Sequence, residues 1–457
     1  MKLFNSYTNT VEEFRPIEEN KVKMYVCGPT VYDYAHLGHA RCYITWDVLY
    51  RYLKFKGYDV TYCRNVTDVD DKILKKAEKE NKTPQEVSQY WYKQFTNSMN
   101  ALNTLPPDIE PFATKTLGEM IAMIKDLIAK DYAYEAGGDV YFRVKRFGKY
   151  GSLSGQPIDQ LESGARIEVG DLKEDPLDFA LWKNDEKFGY NSPWGIGRPG
   201  WHIECSAMSR KYLGKTIDIH AGGADLIFPH HENEIAQSEC ANGCKFVNYW
   251  LHNGFVTINK EKMSKSLGNF LTIDDMLKNY DANTLRLFIL TNHYRMPVEF
   301  SDEALTSAQA GAKRLTNAKQ TKIDETLDIT QTQEYKSFCE AMDDDLNTSK
   351  ALAILFDLAT RANKDERNAY TILYKLGTTL GFTFEKAGVS EEDKSKAITY
   401  ISKVLGQNFS SINEILELRK QARVEKNWDV ADKIRIAFEQ CDILVKDTKD
   451  GTVLECK

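Results

Sequence analysis

Two short segments, far apart in the chain, carry side chains that suit the binding of phosphate groups. His36-Leu37-Gly38-His39 lies where a predicted strand gives way to a predicted helix. There, backbone N–H groups, a small glycine and two imidazoles can face an anion. Lys262-Met263-Ser264-Lys265-Ser266 places two lysines on a predicted loop, which suits the neutralisation of a departing pyrophosphate. Taken singly, the first segment can be structural and the second an ordinary solvated turn.

The pair of segments resembles the HIGH and KMSKS signatures of class I aminoacyl-tRNA synthetases, with Leu37 in the place of isoleucine. The resemblance implies an ATP-dependent enzyme. It implies that His36 and His39 stabilise the ATP phosphates. It also implies that Lys262 and Lys265 bind the triphosphate while an adenylate forms, with Mg²⁺ as the counterion. The ATP-binding residues that the resemblance implies are His36, Gly38, His39, Asp225 and Lys265.

A second group of residues could bind a metal ion. Cys27 ends the first predicted buried strand, and Cys205 lies in a separate segment. His230 and Glu234 are four residues apart in a helix predicted over about 229–240, which places them on one helix face. Two thiolates, an imidazole and a carboxylate suit zinc. Because three segments must converge, the spacing alone does not establish the site.

Roles without this metal site are also open to these residues and their neighbours. Cys27 could be a small residue of the core, which is common for a free cysteine. His231 and Glu232 could be the ligands in place of His230 and Glu234. Cys240 and Cys244 could form a competing pair, although the end of a helix accounts for that pair more simply.

Three longer segments, 24–33, 200–208 and 228–234, resemble the cysteinyl-tRNA synthetase family, and the resemblance extends over essentially the whole chain. It implies activation of L-cysteine to cysteinyl-adenylate and transfer to the 3′-terminal ribose of tRNA(Cys), at the 2′ position under the class I rule. It also implies one Zn²⁺ per chain, which binds the substrate thiolate. Trp201 and Thr67 are implied to line the amino-acid pocket. The implied metal ligands are Cys27, Cys205, His230 and Glu234.

Zinc would give a chemical basis for choosing cysteine. Serine differs from cysteine by one atom, and a shape-based pocket separates such analogues by only about one to three kcal/mol. A thiol ionises on zinc far more readily than an alcohol does, so we expect selection at the binding step and no editing domain. The nearest alternative function is a ligase that attaches activated cysteine to an amino-sugar acceptor. The charged C-terminal region favours tRNA over an amino sugar as the acceptor.

The hydrophobic pattern predicts an α/β fold around these residues. Strand 22–27, the helix that follows it and strand 59–66 form a βαβ unit, which implies a parallel sheet. We predict a Rossmann-like, doubly wound parallel sheet with an insertion, followed by an α-helical bundle and a small C-terminal α/β domain. The predicted domains are the catalytic domain with its stem-contact and KMSKS region at 1–115 and 200–300, the connective insertion at 116–199, the helical anticodon-side bundle at 301–389 and the anticodon-recognition domain at 390–457.

The C-terminal segment carries side chains that suit contact with RNA. Arg419, Lys420, Arg423 and Trp428 could contact phosphates or stack on bases. An ordinary amphipathic surface helix carries the same residue types, and the charge of this segment is balanced.

Composition sets the class of protein. The chain has 457 residues, 42% of them hydrophobic and 28% charged, which is typical of a globular protein of several domains. It shows no membrane-spanning or secretory segment. Nine cysteines without disulfide-like spacing favour a reducing compartment, so we expect a cytoplasmic protein. We separately expect a monomer. The net charge of −7 argues against indiscriminate nucleic-acid binding. The expected partners are L-cysteine, ATP and tRNA(Cys), without a membrane.

Overall fold

The computed structural model describes residues 1–156, 172–258, 261–262, 270–384, 391–448 and 451–456. The chain forms two compact units, Met1–Thr383 and Phe384–Lys457. The strands of the first unit are β1 (Lys2–Asn5), β2 (Thr10–Glu13), β3 (Lys21–Val26), β4 (Asp59–Arg64), β5 (Ala133–Ala136), β6 (Asp139–Phe142), β7 (Phe179–Asn184), β8 (Tyr190–Ser192), β9 (Gly195–Pro199), β10 (Ile217–Gly223), β11 (Val247–Asn253), β12 (Val256–Ile258), β13 (Glu261–Lys262) and β14 (Val298–Phe300). Its helices are α1 (Leu37–Phe55), α2 (Asp71–Glu80), α3 (Pro84–Ala101), α4 (Leu117–Ala129), α5 (Trp201–Tyr212), α6 (Glu232–Asn242), α7 (Ile273–Leu277), α8 (Ala282–Leu290), α9 (Asp302–Thr316), α10 (Gln333–Asp343), α11 (Thr348–Ala362) and α12 (Ala369–Thr379).

A parallel sheet in the order β11-β10-β3-β4 forms the centre of the first unit. α1 connects β3 to β4 on one side, and α6 connects β10 to β11 on the other. The chain therefore moves outward in opposite directions from the neighbouring strands β3 and β10. In open α/β sheets the crevice at such a switch point, beyond the carboxyl ends of the strands, is where ligands bind. The predicted α/β class with a doubly wound parallel sheet is confirmed.

Residues 116–199 hold α4 and an antiparallel sheet in the order β5-β6-β7-β9-β8. This insertion does not have a hydrophobic core of its own within the described residues. Met120 and Ile124 of α4 and Trp182 of β7 are fully buried in the same cluster as Ile203 of α5 and Ile217 of β10. The insertion and the parallel sheet are therefore packed as one body.

The helix predicted over about 229–240 begins later than expected. Residues Ile227–His231 form a wide turn in which Phe228 is extended, with φ −136° and ψ 134°. Pro229 has no backbone N–H to donate to a preceding turn, which disfavours a regular helix there. The regular helix α6 starts at Glu232 and ends at Gly243, whose φ of 71° suits glycine. His230 thus precedes the helix on which Glu234 lies.

Two buried arginines fix α1 to later parts of the chain. Arg41 donates to the carbonyl oxygens of Ile289 at 2.7 Å and Tyr294 at 2.9 Å, and also to those of residues 293 and 296. Arg286 of α8 forms an ion pair of 2.8 Å with Asp47 of α1 and is fully buried. A buried charge is tolerated only when it is paired and hydrogen-bonded, so these contacts define where α1 lies.

The second unit contains three helices and a hairpin, namely α13 (Glu391–Leu405), α14 (Ile412–Val424), α15 (Trp428–Glu439), β15 (Ile443–Thr448) and β16 (Gly451–Cys456). Its core includes Ile415, Ile434 and Phe438. Arg419 is buried, and its guanidinium donates two hydrogen bonds, of 2.8 and 3.0 Å, to Asp447. This pairing gives Arg419 a structural role. Lys420 and Trp428 are exposed, and Trp428 keeps 58% of its surface.

Asp281 caps α8, the helix that carries Arg286. Its Oδ1 atom accepts a hydrogen bond of 2.7 Å from the N–H of Thr284. We expect Asp281→Ala to lower the free energy of unfolding by about 1 kcal/mol, because one N–H of the first turn loses its partner. Asp281→Asn keeps an acceptor and should stay near the wild type. Urea unfolding followed by circular dichroism measures both variants, and equal stability of the alanine variant and the wild type would contradict the capping role.

Candidate metal and nucleotide site

Four buried side chains meet beyond the carboxyl end of β3. Cys27 directly follows that strand, Cys205 lies in α5, His230 lies in the wide turn and Glu234 lies in the first turn of α6. The sulfur atoms of Cys27 and Cys205 are 3.8 Å apart. His230 Nε2 lies 3.5 Å from the sulfur of Cys205 and 3.0 Å from Glu234 Oε1. Glu234 Oε1 lies 3.5 Å from the sulfur of Cys27, which closes the ring of contacts.

These separations suit one metal ion with four ligands. Ligand atoms about 2.0 to 2.3 Å from zinc, at tetrahedral angles, lie about 3.3 to 3.8 Å from one another. Four of the six separations in the structure range from 3.0 to 3.8 Å, and all four ligand atoms lie within 4.8 Å of one another. A hydrophobic core does not require two thiols, an imidazole and a carboxylate at these separations. The arrangement therefore supports a metal site at the switch point of the sheet.

Histidines form a layer behind these four residues. His220 of β10 contacts Glu234 Oε2 through its Nε2 atom at 2.9 Å. His231 lies 3.2 Å from the sulfur of Cys27, and its Nδ1 atom is 2.8 Å from Nε2 of His252. Cys27, His220, His231 and Glu234 form a second possible ligand group. A nitrogen and an oxygen ligand, each about 2.0 Å from zinc, lie about 3.3 Å apart at a tetrahedral angle. The distance of 4.0 Å between His231 and Glu234 departs further from that value than the 3.0 Å of His230.

The other ligand candidates from the sequence lie elsewhere. Glu232 accepts hydrogen bonds from the N–H groups of Leu153 at 3.1 Å and Ser154 at 2.9 Å. Cys240 is buried and Cys244 is exposed. Neither the glutamate nor this cysteine pair belongs to a metal-type group among the residues that the structure describes. Sequence reasoning missed His220 and His252, although both lie on strands that it predicted.

The electrostatics of the four residues favour a cation. Burial acts to raise the pKa of Glu234, but His220 and His230 outweigh it and lower this pKa to about 2. Burial also acts to raise the pKa of Cys205, but Cys27 and His230 lower it to about 6. Burial acts to lower the pKa of His230, but Glu234 and Cys205 outweigh it and raise this pKa to about 10. A metal ion would displace that proton and take over the balance of charge.

A cavity of about 340 Å³ opens beside the four residues. Cys27 and Trp201 line it, and so do His36, His39 and Asp225. The ring of Trp201 stacks on that of His230 with centroids 4.1 Å apart. The side chains that the sequence predicts to bind ATP and the metal are thus neighbours in one pocket.

The two signature histidines begin α1 as a reciprocal cap. Nδ1 of His36 accepts from the N–H of Gly38 at 3.1 Å and of His39 at 3.4 Å. Nδ1 of His39 accepts from the N–H of His36 at 3.1 Å. Because Nδ1 acts as the acceptor in both neutral rings, the proton lies on Nε2. Each histidine can therefore donate a hydrogen bond from Nε2 to a phosphate oxygen.

The chain that follows the second signature is hydrogen-bonded to the first. Lys262 ends β13, which pairs with β12, while Lys265 lies outside the described residues. After the signature, the carbonyl of Leu271 accepts a hydrogen bond of 3.0 Å from the N–H of Leu37. The N–H of Ile273 donates to the carbonyl of Ala35 at 2.9 Å. The chain that leaves the second signature is therefore bound to the first.

Thr67 lies in a buried polar network behind the pocket. Its hydroxyl donates a hydrogen bond of 2.6 Å to Glu204 and accepts one of 3.3 Å from Asn65. Asn65 also accepts from the N–H of Gly28 at 2.7 Å. A Cβ atom at Gly28 would lie 1.5 Å from the carbonyl oxygen of Asn65, so this position requires glycine. Thr67 is 1% exposed and does not line the described cavity, whereas Trp201 does.

Comparison with known proteins places this site in a family. Residues 13–310 match the family model of the tRNA synthetases class I (C) catalytic domain, and residues 337–385 match that of the DALR domain. The cysteine–tRNA ligase of Shouchella clausii is 48% identical over 474 residues, which cover 99% of this chain and 98% of that protein. The cysteine–tRNA ligase of Clostridioides difficile is 46% identical over 470 residues and covers 99% of both chains.

A solved structure supports the fold independently. The Mycobacterium tuberculosis methionyl-tRNA synthetase in complex with methionyl-adenylate superposes with a TM-score of 0.56 at 15% identity, over 79% of this chain and 89% of that chain. At this identity the likeness concerns the fold alone. The family assignment rests on the relatives that match over nearly the full length of both chains. The chain belongs to the cysteine–tRNA ligase family of class I aminoacyl-tRNA synthetases.

Proposed function

We propose that this enzyme selects L-cysteine with a Zn²⁺ ion held by Cys27, Cys205, His230 and Glu234, and that it charges tRNA(Cys) with cysteine at the expense of ATP. The observation that carries the proposal is the set of four buried ligand atoms, all within 4.8 Å of one another, beside the cavity that His36, His39 and Asp225 line. Zinc bound there would favour an ionised thiol over a hydroxyl, which separates cysteine from serine.

Activation is an in-line displacement at the α-phosphorus of ATP. A carboxylate oxygen of cysteine forms a bond to this phosphorus, and the bond to the bridging oxygen breaks, so that pyrophosphate leaves with its electron pair. His36 and His39 donate hydrogen bonds from Nε2 to the phosphate oxygens. Lys262, Lys265 and Mg²⁺ neutralise the charge of the leaving group. The reaction needs positioned donors and cations more than a protein acid or base.

Transfer follows in the same pocket. The 2′-hydroxyl of the terminal ribose of the tRNA attacks the carbonyl carbon of cysteinyl-adenylate. The carbonyl–phosphate bond breaks, AMP leaves, and the hydroxyl proton passes to the released phosphate or to solvent. Asp225 binds a ribose hydroxyl of the adenylate. Trp201 closes the amino-acid side of the pocket, and Thr67 supports that side through its contacts with Glu204 and Asn65.

The remaining assignments concern the parts that bind tRNA. We assign catalysis to 1–115 and 200–300, the connective insertion to 116–199, the anticodon-side bundle to 301–389 and anticodon recognition to 390–457. In the last domain, exposed Lys420 and Trp428 suit contact with RNA better than Arg419 does, because Arg419 is buried against Asp447. No helix within the described ranges is long and apolar enough to cross a membrane. A cytoplasmic location and a monomeric state stay predictions.

Two assays on the zinc-loaded protein test the proposal. We expect cysteine-dependent exchange of pyrophosphate into ATP, and we expect transfer of labelled cysteine to tRNA(Cys). Exchange without transfer to tRNA, together with transfer to an amino sugar, would favour the alternative ligase. Absence of exchange would overturn both enzymatic assignments. Serine in place of cysteine is the control, and it should give exchange at least about a hundredfold slower when the metal is bound.

A further inference from the structure

A second cavity lies between the parallel-sheet domain and the insertion. Its volume is about 690 Å³, within the range of about 300 to 1,000 Å³ that small-molecule sites occupy. Its walls come from α2, from the start of α3, from residues 112–115 and from the turn 187–190 that precedes β8. It shares no lining residue with the nucleotide cavity that contains His36 and Asp225.

One face of α3 looks onto this cavity and is polar. Gln85, Ser88, Gln89 and Tyr92 line it, at the i, i+3, i+4 and i+7 spacing of a single helix face. Gln85 and Gln89 are exposed, so a ligand can reach their amide groups from solvent. Amide side chains offer a donor and an acceptor side by side, which matches the edge of a nucleobase. This face is therefore suited to a planar ligand with a hydrogen-bonding edge.

Aromatic rings supply the faces for such a ligand. Tyr92 and Phe112 pack edge to face with centroids 4.9 Å apart, and both line the cavity. Phe188 and Tyr190 line it from the side of the insertion. Stacking of a base on an aromatic side chain contributes about 1 to 3 kcal/mol and tolerates any base, since every base has a π-face.

Charged side chains also line this cavity. Asp68 is held in place because its carboxylate accepts hydrogen bonds from the N–H of Thr114 at 2.9 Å and from its hydroxyl at 2.6 Å. A carboxylate held in this way can also accept from ribose hydroxyls. Lys115 lines the same cavity and is exposed, which suits a phosphate. Lys187 lines it too but forms an ion pair with Glu78.

We propose that this cavity is a second nucleotide site, which binds one unpaired nucleotide. The base stacks on the aromatic rings and bonds to Gln85 and Gln89, the ribose faces Asp68, and the phosphate faces Lys115. The nucleotide is either a free mononucleotide or a nucleotide from the single-stranded end of the tRNA. The proposal does not depend on the zinc assignment.

The site is connected to the pocket where cysteine is activated. The N–H of Ala113 donates to the carbonyl of Val66 at 3.0 Å, and the N–H of Val66 donates to the carbonyl of Pro111 at 2.8 Å. The segment that carries Phe112 is thus bound to the residue that precedes Thr67. In α2, Lys72 lines the nucleotide cavity while Leu74 lines the second site.

Equilibrium dialysis with AMP and CMP on the full chain separates the two cavities. We expect one equivalent of AMP in the active site and one further equivalent of AMP or CMP in the second site. The double variant Gln85→Leu/Gln89→Leu and the variant Phe188→Ala should each lower the affinity for the further equivalent of nucleotide about tenfold. Asn97→Leu is the matched control, because Asn97 lies on α3, is exposed and does not line the cavity. Cysteine-dependent exchange at the wild-type maximal rate shows that a variant is folded.

Filter binding of tRNA distinguishes the two sources. If the ligand is the end of the tRNA, no further mononucleotide binds. The glutamine variant then loses about tenfold in affinity for full-length tRNA and nothing for tRNA that lacks its unpaired 3′ nucleotides. The terminal nucleotide of the tRNA also enters the active site, so the comparison of the glutamine variant with Asn97→Leu, and not shortening of the tRNA alone, assigns a loss of affinity to this cavity. Phe188→Ala is the second variant if the glutamine variant does not fold. A wild type that binds no CMP and no second AMP, together with variants that bind full-length tRNA as the wild type does, would overturn the proposal, while exchange activity would leave the proposed function intact.

Discussion

Replacing His36 with asparagine should slow cysteine-dependent ATP–pyrophosphate exchange by about a hundred- to a thousandfold, the usual effect of losing one donor to a transition-state oxygen. In the wild type, Nδ1 of His36 caps α1 while Nε2 remains on the side of the ring that can donate to phosphate. Asparagine is a strong helix cap, so its oxygen can accept from the same backbone N–H groups. Its amide NH₂ group is also a donor, but the shorter side chain does not extend it to the position of Nε2. The variant therefore separates catalysis from folding.

His36→Ala is the companion variant, because it loses the cap as well. It should be less stable than His36→Asn by about 0.5 to 2 kcal/mol and similarly slow in exchange. Thermal unfolding measures the first difference and steady-state exchange the second. If His36→Asn kept the wild-type rate, His36 would be a structural cap only, and the phosphate role would belong to other residues.

Cys205→Ser should reduce the zinc content from about one equivalent per chain to a small fraction of that. The hydroxyl of serine gives up its proton far less readily than a thiol, so one of four anionic or neutral donors is lost. The Michaelis constant for cysteine should rise at least about tenfold, and the preference for cysteine over serine should fall. Metal analysis and exchange at varied cysteine and serine concentrations measure these effects.

Cys240→Ser provides the matched control. Cys240 is buried like Cys205 but lies outside both metal-type groups that the described residues form. Its variant should keep the zinc and the selectivity. Normal selectivity in a metal-free Cys205→Ser enzyme would contradict the zinc assignment, whereas loss of zinc in both variants would point to general damage of the fold.

Much of the framework around the site follows from the sequence. The period of buried residues predicted β3, α1 and β4, and parallel pairing of those strands follows from the connecting helix. That framework alone places Cys27 and the two signature histidines at one edge of the sheet. The convergence of Cys205, His230 and Glu234 on Cys27 came from the resemblance, since the spacing of residues about 200 positions apart does not report a distance.

Other features depended on contacts that no local pattern encodes. The wide turn at Phe228 delayed the start of α6, and the hydrophobic period did not indicate it. His220 and His252 lie in strands as ordinary buried residues, and only the alignment of β10 with β11 brings them to the metal ligands. For Arg419 the residue type was misleading. An arginine suits contact with RNA, but the hairpin brings Asp447 close to Arg419, and the two side chains pair.

The contacts of Arg41 set a minimum length for the catalytic part of this enzyme. This guanidinium lies two residues after His39 and bonds to four carbonyl oxygens between residues 289 and 296. Asp345 in turn accepts from the hydroxyl of Tyr294 at 2.7 Å and from the N–H of Phe4 at 2.8 Å. A fragment cut before residue 289 would leave the Arg41 guanidinium without any of these four acceptors. A fragment cut before residue 345 would remove the carboxylate that accepts from both Tyr294 and Phe4. A minimal activating fragment must therefore extend into the helical bundle.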